Sequence, residues 1–207
     1  MNNRIKKYTA LSSLLTAATI SVTNASSIPS PMDESSRKAK PEIYGIAEYF
    51  TNWEMIELYD GELSLKMDSG WGGGVGLGFN FNEYLNLNMT FVGASLDFKT
   101  ENSVLDENDT TVVQGNFNLD YNILKKRLTP LLTVGAGLTH FSNDFGDNSW
   151  FNYGERNFSW GFGGGVRWDI SDDWFMKAIY RVNWTNVENS DNTTRFNSIA
   201  LGVGYVF

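Results

Sequence analysis

The chain has one histidine, His140, and it stands two residues before Ser142 in the run His140-Phe141-Ser142-Asn143. With Glu155 downstream, these residues contain the groups of a nucleophilic hydrolase. Ser142 would attack, His140 would take its proton, and Glu155 would orient the ring. Glu155, however, falls in a long stretch without regular patterning, and a matching set of residue types is not yet a site. Gly72, Gly73, Gly74, Gly76 and Gly78 invite a phosphate-loop reading. Neither G-x-G-x-x-G nor G-x-x-x-x-G-K-[ST] is present, and the glycines recur at every second residue. Carboxylates cluster at Glu54, Glu57, Asp60 and Glu62, at Glu101, Asp106, Glu107 and Asp109, and at Asp144 and Asp147. Such groups could hold Ca²⁺ or Mg²⁺, although none follows the order of an EF-hand loop. Cysteine is absent, which excludes disulfides, thiolate metal sites and cysteine nucleophiles. No cofactor motif is found, and none is expected to be bound.

Composition narrows the classes further. The 207 residues are 42% hydrophobic and 19% charged, with 14% aromatic residues, many for this length. Arg4, Lys6 and Lys7 precede an uncharged apolar run, and Thr23-Asn24-Ala25 places small residues for cleavage before Ser26. This is the layout of a secretory signal peptide over 1–25, with an amphipathic N-terminal helix as the alternative. Its removal leaves 13 Lys and Arg against 24 Asp and Glu, a net charge of −11 that suits no nucleic-acid partner. Residues 26–41, rich in serine and proline, read as a flexible leader without a core to join. The remainder, 42–207, has one uniform texture and forms the domain.

That texture is an apolar period of two. Trp71, Val75, Leu77, Phe79 and Phe81 alternate with glycines and Asn80; Phe158, Trp160, Phe162, Val166, Trp168 and Ile170 alternate with small or charged residues. The same holds for Phe117, Leu119 and Tyr121, for Trp174 to Trp184, and for Ile199 to Phe207. Less regular runs at 84–96, 131–141 and 43–53 bring the count to eight strands, the first of uncertain phase because Ile46 and Phe50 share a face with Glu48. Strands of ten or more residues exceed the usual soluble length and match a tilted membrane crossing. The aromatic faces are therefore expected to meet lipid, as in an eight-stranded antiparallel up-and-down transmembrane β-barrel. The alternative is a soluble sandwich or lipocalin-like barrel with those faces inside. Trp53, Trp71, Phe81, Trp160, Trp168, Trp174 and Trp184 lie near strand ends, where aromatic girdles belong. Short connections at 82–83, 124–130 and 171–173 alternate with long ones at 54–68, 97–110, 142–157 and 185–194, which places the short turns in the periplasm. On the inward faces fall Asp120, Arg167, Asp169, Lys177 and Arg181, with Glu48 a sixth. A bore this narrow is filled by side chains, so these charges are expected to pair and plug it.

The signal peptide, the eight strands and the ending Leu201-Gly202-Val203-Gly204-Tyr205-Val206-Phe207 resemble the small OmpA/OmpX-type outer-membrane barrels over 42–207. The resemblance implies a monomer in the outer membrane of a Gram-negative bacterium, in contact with lipid and lipopolysaccharide. Val203, Tyr205 and Phe207 are similar to the signal read by the barrel-assembly machinery. The implied role is non-enzymatic: envelope integrity, or surface interaction with an extracellular ligand through four acidic loops. Related barrels carry an interior ion-pair gate, which makes a narrow ion or small-solute pore the alternative. The His140 element also resembles one in outer-membrane lipid A deacylases, although that family carries it nearer the C-terminus.

Overall fold

A computed structural model describes residues 29–51, 53–54, 56–58, 63–100, 108–143, 156–186 and 193–207. Its strands are β1 (Lys40–Thr51), β2 (Ile56–Leu58), β3 (Leu63–Met67), β4 (Gly70–Asn80), β5 (Leu85–Thr100), β6 (Asn108–Asn122), β7 (Leu128–Asn143), β8 (Arg156–Asp169), β9 (Trp174–Asn186) and β10 (Thr193–Val206). β1 pairs with both β4 and β10, and the antiparallel ladder runs through β9, β8, β7, β6 and β5 back to β4. Eight strands thus close on themselves and leave no edge, the condition a bilayer imposes on sheets. The segment expected as a loop over 54–68 instead holds the hairpin β2–β3, whose second strand extends the sheet by pairing Leu65 with Thr100 and Met67 with Phe98.

Side-chain direction follows the pleat. Phe117 is 63% exposed on the outside of β6, while Asp120, three residues on, is 3% exposed inside. Trp71, Phe162, Leu132 and Leu201 likewise lie bare on the outer surface. In water such a surface would be untenable; toward hydrocarbon it is the required one. The phase of β1 is settled as well: Glu42, Tyr44, Ile46, Glu48 and Phe50 all point inward and are buried. The short connections are built by side chains that accept from the backbone. Asn82 Oδ1 accepts from the Tyr84 and Leu85 amides at 2.8 Å each, and Ser171 Oγ accepts from those of Asp173 and Trp174.

The inward glycines make room, as their alternation suggested. Tyr44 faces Gly76 on β4 and Gly204 on β10. A Cβ added to Gly76 would fall inside the Tyr44 ring. Replacing Gly76 by alanine is therefore expected to destabilise the barrel by about 1–3 kcal/mol, the cost of overpacking, measured by urea unfolding in vesicles. An unchanged midpoint would show that Tyr44 can move aside freely.

The leader does not hang free. From Ser30 onward it lies across the short-turn end of the barrel. The amide of Ser35 donates to Lys125 O (2.8 Å), that of Arg127 to Asp33 O (2.9 Å) and that of Leu128 to Pro31 O (3.0 Å). The chain enters β1 through Ala39, which takes a left-handed conformation (φ 56°) normally left to glycine. The flexible leader expected over 26–41 is thus corrected from Ser30 on. Its composition offers no core, but its backbone and the side chains of Ser35, Ser36 and Arg37 find partners at this end of the barrel.

Candidate functional site: the barrel interior

The interior is filled in layers along the barrel axis. At the periplasmic end, Arg167 Nη1 donates to Glu42 Oε2 and its Nε to Asp169 Oδ1, both at 2.8 Å. The guanidinium also lies 4.2 Å from the centre of the Phe175 ring. Asp169 takes a second cation from outside the strands: Arg37 Nη1 at 2.7 Å, with Ser35 Oγ donating to the same carboxylate oxygen at 2.5 Å. Arg37 is 1% exposed. Its hydrogens also reach the carbonyls of Glu83, Leu124 and Lys126, so one side chain ties two turns to the end of β8. Burial pulls the Arg37 guanidinium below its ordinary pKa, and Asp169 beside it opposes that fall. On the rim, the hydrogen bond from Arg127 holds the exposed Asp172 carboxyl below its usual range.

Replacing Arg37 by alanine is expected to lower stability by about 2–3 kcal/mol, because three carbonyls and part of Asp169 lose a charged donor. Limited proteolysis should then cut the leader while the strands stay protected. A leader as resistant as before would show that its backbone bonds suffice.

Above this layer Lys177 Nζ lies 3.4 Å from Asp120 Oδ2 and 3.9 Å from the centre of the Tyr44 ring. Asn88 Nδ2 donates to Asp120 (2.9 Å), and Tyr44 Oη donates to Asn88 Oδ1 (2.9 Å). Next along the bore stand Glu48 and Arg181, both inward and buried. Neither carboxylate oxygen of Glu48, nor Nε of Arg181, has a hydrogen-bonding partner among the described residues. Ion pairs thus join Asp120 to Lys177 and Asp169 to Arg167, and among the described residues none reaches Glu48 or Arg181.

Toward the extracellular end an apolar cluster stands among the buried polar residues Thr139, Asn157, Thr185 and Thr194. Phe50, Leu96, Val112, Phe141 and Phe196 point inward there and are nearly inaccessible. Trp53 completes this lid, stacked on Phe196 with ring centres 4.1 Å apart and planes at 16°. Its assignment to the outer girdle is corrected: β1 ends at Thr51, so the pleat no longer fixes its direction, and the inward rings offer it cover. The chain just beyond is pinned by the Glu54 amide on Arg195 O and by a 2.8 Å ion pair between the same two residues. Trp71, Phe81, Trp160 and Trp174 do lie exposed on the outer wall, with Trp168 and Trp184 half-exposed beside them. Trp160 and Trp184 stack at 4.5 Å. Tyr205, inside the terminal triplet Val203, Tyr205 and Phe207, packs edge-on against Trp174 and Phe207.

His140 is half-buried on the outer, lipid-facing side of β7. The side chains of Ser142 and Glu155 lie outside the described residues, as do those of the loop acids other than Glu54. Among the described residues no group of three or more His, Asp or Glu could hold a metal ion. Two residues of the periplasmic lock, Glu42 and Arg37, escaped the sequence reading. Glu42 shares its parity with Glu48, a signal that was present; Arg37 lay in a segment with no periodicity.

A closed β-barrel with an apolar outer wall and polar side chains buried inside is a transmembrane barrel. A family model described as "outer membrane protein beta-barrel domain" matches residues 12–207. The chain belongs to this outer-membrane β-barrel family and resides in the outer membrane. Its fold is similar to the crystal structure of outer membrane protein OprG from Pseudomonas aeruginosa (12% identity, 84% of this chain and 98% of that one, TM-score 0.59). It is also similar to Neisserial surface protein A, NspA (16% identity, 81% and 97%, TM-score 0.58). The same holds for AlkL, determined by solid-state NMR in lipid bilayers (15% identity, 87% and 96%, TM-score 0.55). No curated protein sequence matches the chain.

Proposed function

We propose that this protein is a non-catalytic outer-membrane barrel that acts through its extracellular loops, by contact with a surface partner or by stabilising the envelope. The observation that carries this reading is the closed lumen. An ion-pair lock fills the periplasmic end and an aromatic lid the extracellular end. Between them, among the described residues, a cavity beside Lys177, Ile179 and Arg181 holds about 10 Å³, room for one water molecule. Such a filling favours a closed bore and leaves the loops as the working surface.

A second reading, a narrow ion path, draws support from Glu48, whose carboxylate oxygens have no hydrogen-bond partner among the described residues, and from Arg181, inward-facing and buried like it. Single-channel recording on the refolded protein in planar bilayers separates the two. Electrical silence is the expected outcome. Discrete openings that change size in Glu48→Gln or Arg181→Gln would establish the pore instead.

A further inference from the structure

The lipid-facing wall is not evenly filled. Gly115 points outward from β6, with Phe91 of β5 and Leu138 of β7 as its register partners on either side. The missing side chain leaves a groove of about 440 Å³, walled by Phe91, Val113, Phe117 and Leu138. That volume lies within the range of small-ligand sites. His140, the register partner of Val113, stands at its rim. Along β6 the groove runs from Phe117 to Val113, roughly 13 Å at the usual rise of a strand.

Backbone packing does not require a glycine here. On the inner wall, a Cβ at Gly74, Gly163 or Gly165 would collide with a backbone carbonyl of the neighbouring strand. At Gly115 it would meet only the edge of the Phe91 ring, at 3.3 Å, and that ring can turn outward. The space is therefore a feature of the surface and not a by-product of closure. Its position also says what fills it. His140 lies three residues before the extracellular end of β7 at Asn143. The groove thus occupies the outer-leaflet half of the wall, continuous with the surface that meets lipid, and its one basic side chain stands on the headgroup side. Imidazole N–H is a hydrogen-bond donor suited to a phosphate or an ester carbonyl.

We propose that this groove binds one acyl chain of lipid A, the anchor of lipopolysaccharide, with the phosphorylated headgroup against His140. The inference is separate from the loop function, since it concerns the wall and would hold for a silent or a conducting barrel alike.

Native mass spectrometry of the refolded mature protein in detergent, with hexa-acylated lipid A added, tests it. One lipid A should remain bound after gentle activation. Gly115→Leu, which projects a side chain from the groove floor, should weaken binding at least tenfold, and His140→Ala a few-fold. Gly164→Leu alters an outward glycine on β8, away from the groove, where an added Cβ meets only ordinary contacts, and should change nothing. Folding of each variant is read from its heat-modifiable electrophoretic mobility. If Gly115→Leu does not fold, Leu138→Trp narrows the groove from the β7 side and must give the same loss. Three results would overturn the proposal: equal binding by wild type and the filled variants, displacement of lipid A by equimolar phosphatidylethanolamine, or a protein dimer that vanishes with Gly115→Leu.

Discussion

Replacing Arg167 by methionine is expected to destabilise the barrel by about 3–5 kcal/mol, the cost of stranding buried charges. Arg167 is the only side chain that contacts both Glu42 and Asp169 among the ion pairs of the described residues. Without it, Glu42 would keep a single hydrogen bond, from Asn80, because its Oε1 is already unpartnered. Asp169 would fare better, retaining Arg37 and Ser35. Urea titration in lipid vesicles, followed by tryptophan fluorescence and electrophoretic mobility, measures the loss. The companion variant Arg167→Met with Glu42→Gln should recover a large part of it, since a neutral amide tolerates burial better than an orphaned carboxylate. A loss below about 1 kcal/mol in the single variant would show that the lock contributes little to stability.

Replacing Trp53 by alanine removes the largest ring of the aromatic lid and should cost about 3–5 kcal/mol, as Trp-to-Ala changes in packed interiors do. Trp53 is 5% exposed and touches Phe50, Phe141 and Phe196, so the rings left behind would border a cavity. The same vesicle unfolding assay reads the loss. Planar bilayers should nevertheless stay silent, because the ion-pair lock below remains shut. Current through Trp53→Ala alone would mean that the lid is the seal and the lock is not.

These two layers differ in how far the sequence disclosed them. Period-two alternation is a local property, and the pleat converts it directly into inside and outside. For that reason Asp120, Arg167, Asp169 and Lys177 could be placed in the lumen without coordinates. The lid was hidden because its members lie where alternation ends. Phe50 is the last inward position of β1, Trp53 has left the strand, and Phe141 and Phe196 sit near strand termini. Inward apolar residues there also contradict a uniformly polar lumen. Arg37 was hidden for a different reason: nothing local distinguishes an arginine in a serine-rich leader from a solvated one. Its partners, Glu83, Leu124 and Asp169, lie 46, 87 and 132 positions away and meet only when the ring closes. Pairing among the lumen charges was legible as a need but not in its detail, since parity fixes which wall a side chain leaves and not which neighbour it reaches.

The docking of the leader has a consequence for the order of folding. Ser35 and Asp169 are 134 positions apart, and the turn that receives the leader backbone joins β6 to β7. Contacts so remote in sequence carry a heavy closure entropy and form slowly. The segment from Ser30 to Arg37 is therefore among the last to be seated, so that its docking reports a finished ring.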